Sequence, residues 1–234
     1  MTAVRATGTR ITYRGLENIP EVGGAVLAIN HTGYLDFLPA ALAVKNRRRR
    51  LRFMIKAEMQ RVKPVKFLIA HTKTIPVDRR AGAGAYTVAV QRLREGELVG
   101  VYPEATISRS FELKDFKTGA VRMALEAGVP IVPLIVWGAH RIWTKDHPRN
   151  VGRKKIPVTV AIGPSLPPTG TAEELMAGLR TEMTALLRDV QQSYDHPRHA
   201  YWVPRRLGGS APTMEEARVL EEAELARRKE SENH

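Results

Sequence analysis

The chain contains no cysteine, which removes disulfides, thiolate nucleophiles and most zinc sites together and fits a reducing compartment. Long apolar runs are missing as well. A membrane-spanning helix needs about 20 consecutive apolar residues, and the nearest candidates, Val22–Leu35 and Ala127–Ala139, are short and broken by Gly, Pro, Asn or His. The opening MTAVRATGTR has no apolar segment behind its charges, so it is not expected to act as a secretory signal. Acidic residues are in short supply: 24 Asp and Glu face 37 Lys and Arg, for a net charge of +13. The deficit is uneven. Residues 214–234 hold seven Glu against four Lys or Arg, a net of −3, so the preceding 213 residues carry +16. A body this basic is expected to meet something anionic: nucleic acid, a membrane surface or small phosphorylated molecules.

What is present is ordinary globular material. With 234 residues, 43% hydrophobic and 26% charged, the chain can bury one sizeable core. Apolar runs of strand length recur at 9–14, 25–30, 52–56, 74–77, 98–102, 131–137 and 156–162. Helical segments are expected at 37–44, at 85–94 before Glu95-Gly96, at 118–127 closed by Gly128, and at 171–194 behind a Thr-x-x-Glu capping box. Alternating strands and helices predict a single layered α/β domain, with a mostly parallel sheet flanked by helices. The domain is expected over residues 1–200. A loop and a charged helix that frays are expected over 201–234.

Three segments follow strands directly. In AsnHisThrGlyTyrLeuAsp (30–36), His31 and Asp36 would lie about 140° apart on an unbroken helix; they converge only if the chain turns at Gly33. Asp36 could then hold one imidazole nitrogen and leave the other basic, the arrangement of a general base and its orienting group. The same residues fit a plainer reading, with Asp36 capping the next helix and His31 idle in a loop, and spacing alone does not select the first. TyrProGluAlaThrIleSer (102–108) puts a carboxylate, Glu104, and two hydroxyls, Thr106 and Ser108, where α/β sheets place ligands. ThrIleProValAspArgArg (74–80) ends in arginines suited to phosphate or to a surface ion pair with Asp78.

Together these segments resemble the glycerolipid acyltransferase family, that of 1-acylglycerol-3-phosphate acyltransferase. The resemblance runs through five blocks in order over roughly residues 14–162: Asn30, His31 and Asp36; Lys56-Ala57-Glu58-Met59; Ile75 to Arg79; Tyr102 to Ser108; and Val129 to Pro133, preceded by Lys117 and Gly119. It implies a glycerol-3-phosphate acyltransferase-like fold and transfer of a fatty acyl group from acyl-CoA or acyl carrier protein to a lysophospholipid hydroxyl. His31 and Asp36 would be the catalytic pair. Lys56 and Arg79 would bind the acceptor's phosphate, and Glu104 and Thr106 would lie against its head group. No metal and no resident cofactor are called for. The chain departs from the family pattern at Gly33, where Ser is usual, at Ala105, where Gly is usual, and at Ile107, where a phosphate-binding Arg is usual. Arg109 is the candidate substitute for that arginine, and acylation of another lipid or glycolipid hydroxyl is the alternative if it fails.

Because lysolipids live in bilayers, the resemblance also implies peripheral attachment to the inner, cytoplasmic face of the cell membrane. Family members often begin with an apolar anchoring helix, which is not expected in this chain. Anionic lipid is expected to meet Lys45–Arg52, with six cations in eight positions, and Arg61–Phe67. A non-catalytic basic module that binds a membrane or nucleic acid is the reading from another class. No recognisable nucleic-acid motif accompanies the charge, so nucleic acid is not an expected partner. His196-x-x-His199 is read as an incidental pair, ArgArgAlaGlyAlaGlyAlaTyrThr (79–87) as a flexible lead into the next helix, and Trp137, Trp143 and Trp202 as packing or interface residues.

Overall fold

The computed structural model describes residues 9–56, 75–77, 82–150, 152 and 154–232. Among these residues seven strands, β1 (Arg10–Arg14), β2 (Ala25–Ile29), β3 (Leu51–Lys56), β4 (Ile75–Val77), β5 (Leu98–Val101), β6 (Ile131–Trp137) and β7 (Pro157–Ile162), form one sheet in the order β1-β7-β6-β2-β5-β3-β4. Every neighbouring pair is parallel except β6–β7. The helices are α1 (Phe37–Asn46), α2 (Gly82–Arg94), α3 (Gly119–Ala127), α4 (Ala172–Gln192) and α5 (Met214–Glu232).

The strand alternation sorts side chains into two cores. Val26, Ala28, Val99, Ile131 and Ile135 face one side, where α2, α3 and α4 supply Val90, Leu93, Met123, Leu179 and Met183. Leu27, Ile29, Leu98, Leu134 and Val136 face the other, where α1 supplies Ala40, Ala43 and Val44. With both faces covered, the central strands are buried throughout, which is why they read as unbroken apolar runs. The edge strand β1 alternates instead. Thr171 and Glu174 close the expected capping box at the head of α4, and Gly128 ends α3 in the left-handed region at φ +68°.

Two expectations are corrected. The boundary after residue 200 cuts through the core: Trp202, Val203 and Ala211 are buried among the side chains of the α2–α4 face, so the 201–213 segment belongs to the domain. Helix α2 begins at Gly82, inside the stretch expected as a non-helical lead. Packing of Ala85, Ala89, Val90 and Leu93 outweighs the roughly 1 kcal/mol that each helical glycine costs.

The chain leaves β2 for α1 on one face of the sheet and leaves β5 for α3 on the other. The carboxyl ends of these adjacent strands therefore diverge and open a crevice, the place where open α/β sheets bind ligands. His31 follows β2 and Glu104 follows β5.

Candidate active site

Asn30 fixes the start of the site. Its side-chain amide donates to the Val136 carbonyl (3.1 Å) and accepts from the Val136 N–H (2.7 Å), tying the end of β2 to β6. The chain then turns, and His31 Nδ1 comes to 3.3 Å from Asp36 Oδ2. The same oxygen accepts the backbone N–H groups of Thr32 and Gly33, both at 2.8 Å. Asp36 heads α1 but makes no side-chain capping bond to it, so the plainer reading of this residue is excluded. Its carboxylate is wholly buried, while the imidazole keeps 19% of its surface open. Burial pushes the Asp36 carboxyl up from its ordinary value, opposed by His31 and the two backbone donors. With Nδ1 engaged by the acid, Nε2 is left as the ring's available nitrogen.

The imidazole lies on the Tyr102 ring, with centroids 4.0 Å apart and planes 20° from parallel. Behind Tyr102 come Phe53 and Phe37, so an aromatic stack fixes the plane of the imidazole. Burial pushes the Tyr102 phenol well above its ordinary value.

Glu104 has a different place from the one expected. It is 3% exposed, and its two oxygens accept backbone N–H groups, from His31 at 2.8 Å and from Lys114 at 3.0 Å. A carboxyl so buried and occupied holds the backbone of His31 and Lys114. Burial, only partly offset by those donors, pushes it up to about 7. The Ser108 N–H donates to the His31 carbonyl (2.8 Å), so the 102–108 loop grips His31 from both sides of its peptide unit.

The other sequence candidates divide. Thr106 and Arg109 sit at the mouth of the crevice. Arg109 pairs with Asp146 and Glu224, its side chain 9% exposed, while Ile107 points into the protein at 5%. Lys56 is the last residue of β3, at the same end of the sheet as His31; its side chain, Arg79 and the Arg61–Phe67 segment lie outside the described residues. The Lys45–Arg50 part of the basic tract lies at the opposite end, before β3 begins. Three of the tract's cations have internal work: Arg47 pairs with Glu21, Arg52 with Glu97, and Arg49 donates to the carbonyls of Pro20, Gly23 and Gly96.

Some contributors carried no signal in the sequence. Lys114 and Lys145 converge on the mouth of the crevice through Glu221 and Glu224 of α5, partners 107 and 79 residues away. His140 is completely buried, accepts or donates at Thr32 Oγ1 (3.3 Å), and is held neutral by burial, which lowers its value to about 3. It packs with Trp137 and Trp202, and His196 packs on the same two rings, which places two of the tryptophans in packing roles. Among the described residues no cluster of His, Asp and Glu is arranged to hold a metal.

An imidazole and a buried carboxyl joined at the carboxyl end of a parallel sheet, beside cationic side chains, define an enzyme-like α/β site. A family model described as Acyltransferase matches residues 10–137, and the chain belongs to the acyltransferase family. Similar proteins include the 1-acyl-sn-glycerol-3-phosphate acyltransferases of Borreliella burgdorferi, 28% identical over 62% of this chain and 58% of its own, and of Bacillus subtilis, 32% identical over 52% and 60%. The chain thus spans about three fifths of the length of those relatives. The crystal structure of the 1-acyl-sn-glycerophosphate acyltransferase of Thermotoga maritima superposes with a TM-score of 0.67, at 21% identity, over 81% of this chain and 76% of that one, which supports the fold.

Proposed function

We propose that this chain transfers a fatty acyl group from a thioester, on coenzyme A or acyl carrier protein, to the free hydroxyl of 1-acylglycerol-3-phosphate, giving phosphatidic acid. The observation that carries the proposal is the 3.3 Å approach of His31 Nδ1 to the buried Asp36 carboxylate, with 19% of the His31 side chain still exposed. In this reading His31 Nε2 takes the acceptor's hydroxyl proton as the oxygen attacks the thioester carbonyl. The tetrahedral intermediate expels the thiolate, and the imidazolium returns the proton to sulfur. Asp36 holds the tautomer and stabilises the charged ring, as the aspartate does in a serine-hydrolase triad, the acceptor itself replacing the serine. The relatives' names support the acceptor, and the Arg109, Lys114 and Lys145 side chains supply cations suited to a phosphate.

A lipid acceptor requires a membrane. Among the described residues no helix is long and apolar enough to cross one. We place a peripheral contact with the inner face of the cell membrane at the crevice end. There Tyr34, 36% exposed, packs on Trp143 at 4.5 Å, and Arg149 lies 4.0 Å over the Trp143 ring. Amphipathic rings beside a cation suit a lipid–water boundary. The Lys45–Arg50 tract faces the other way and would add only long-range attraction.

Purified protein assayed with acyl-CoA and acyl carrier protein donors, against several lysolipids, tests the reaction. His31→Ala is expected to lose at least about 10²-fold in kcat, the range for removing a general base, and Asp36→Asn a comparable factor. Near-full activity in His31→Ala removes the imidazole from the chemistry, and a preference for lysolipids without phosphate displaces the acceptor.

A further inference from the structure

The acidic C-terminal helix does not fray into solvent. Glu221 and Glu224, one turn apart on α5, reach into the mouth of the crevice. The Lys114 ammonium donates to both Glu221 oxygens, at 2.7 and 2.5 Å, and to Thr106 Oγ1 at 2.5 Å; the Thr106 hydroxyl donates to Glu221 Oε1 at 2.5 Å. Glu224 Oε2 accepts from Arg109 Nη2 and from Lys145 Nζ, both at 2.8 Å. Arg109 Nε is held by Asp146, and among the described residues its Nη1 is buried with no partner. The cluster adjoins the catalytic pair, because the backbone N–H groups of Lys114 and His31 share the Glu104 carboxyl.

The charges balance in a telling way. Arg109, Lys114 and Lys145 bring three positive charges and Asp146 removes one. The two charges left over are neutralised by Glu221 and Glu224, and a phosphate monoester, which carries about −1.5 to −2 at neutral pH, would neutralise them equally well. The helix is also weakly seated. None of its described side chains is buried, and Val219, Leu220 and Leu225 are 56%, 42% and 52% exposed. The ion pairs that hold it keep only 9–22% of their side-chain surface open, so the cations release the carboxylates only to an anion that takes their place.

We propose that Arg109, Lys114, Lys145 and Thr106 form a phosphate-monoester site that α5 fills in the resting protein, with Glu221 and Glu224 as carboxylate stand-ins for the phosphate. The acceptor's head group displaces the helix as it enters. The site takes over the place left without a cation by Ile107. The inference deepens the proposed acyl transfer by naming what guards its acceptor site, but phosphate binding can be read without acyl transfer, so the two can fail separately.

The test uses the full chain with Glu221→Gln and Glu224→Gln together. Calorimetric binding of inorganic phosphate and of glycerol 3-phosphate is expected to tighten at least about 10-fold, and KM for 1-acylglycerol-3-phosphate to fall by a similar factor with less change in kcat. Unchanged affinity with a lowered Tm would make α5 a brace and overturn the proposal. A second measurement does not depend on that variant. Leu225→Cys, the sole thiol in a chain without cysteine, carries a nitroxide label whose mobility reports the helix. Mobility is expected to rise with phosphate. A response to glycerol 3-phosphate assigns the trigger to the soluble group, and a response only to vesicles containing 1-acylglycerol-3-phosphate assigns it to the lipid. No response to either, or an equal response to phosphatidylcholine vesicles, rejects the site.

Discussion

The α-carbon of His140 stands 2.8 Å from the point where a β-carbon on Gly33 would fall, and the Trp143 carbonyl oxygen stands 2.9 Å from it. The turn that carries His31 is docked on the 139–144 turn by backbone contact, reinforced by bonds from Tyr34 N–H to the Trp143 carbonyl and from the Thr144 hydroxyl to the Thr32 carbonyl. The glycine that departs from the family's usual serine is thus required by this chain's own packing. Gly33→Ser is expected to cost about 1–3 kcal/mol, the range for forcing atoms into a filled space, measured as a lower urea midpoint. Since Gly33 N–H also holds Asp36, kcat should fall with it. A serine variant as stable and active as the parent would show that the two turns slide freely.

Ala105 lies in the left-handed region, at φ +60°, between Glu104 and Thr106. A β-carbon there crowds the following carbonyl, at a cost of roughly 1–2 kcal/mol, while glycine would lose about 0.5–1 kcal/mol more chain entropy on folding. Ala105→Gly should therefore stabilise the protein by about 0.5–1 kcal/mol, seen as a rise in thermal midpoint. Destabilisation would mean that the loop is relaxed as it stands.

Glu104 makes stability depend on pH in the less common direction. Its value is raised from 4.5 to about 7 by burial. Between those two values the unfolded chain has released this proton and the folded chain keeps it. The contribution to stability is full below about 4.5, declines as pH rises toward 7, and is level above that. The shift corresponds to a total on the order of 3 kcal/mol. Glu104→Gln cannot titrate; it keeps one acceptor and turns a donor toward the other N–H. The variant should be weaker at pH 5 but flatter from pH 5 to 7. Parallel urea midpoints for both proteins across that interval would remove Glu104 as the source.

Much of this was readable because it is local. Ile131–Trp137 was identifiable as a strand to the residue, since a strand covered on both faces must be apolar throughout, and Thr171 with Glu174 announced α4. The His31–Asp36 pairing was legible as a spacing that needed a turn, and the ordered blocks gave the family. What escaped was long-range. Nothing near Lys114 or Lys145 in sequence foretells acids from α5, and the antiparallel turn of β7 against β6 depends on which edge the chain returns to. The inward direction of Glu104 was hidden for a related reason: a carboxylate after a strand looks the same whether it meets a ligand or two backbone amides.

Ile107 and Arg109 separate the two things the family's arginine position can do. Ile107, at 5% exposure, is part of the packing, so Ile107→Ala should cost about 2–4 kcal/mol and leave KM for a phosphate-bearing acceptor nearly unchanged. An arginine placed there would bury a charge in a space packed for an apolar side chain, so Ile107→Arg should lower stability further rather than improve binding. Arg109 is the reverse. Its guanidinium joins the cationic cluster; its removal leaves Asp146, 57% exposed, without that partner, while Glu224 loses one of two cations and keeps Lys145, a modest structural loss. Arg109→Ala should thus raise KM for 1-acylglycerol-3-phosphate about 10-fold or more, equivalent to the roughly 1.5–3 kcal/mol of a bond between charged groups, with a Tm close to the parent's. Steady-state kinetics beside thermal melts decides the matter: if Ile107→Arg lowers KM, or Arg109→Ala leaves it untouched, the phosphate is held somewhere other than the place assigned to Arg109.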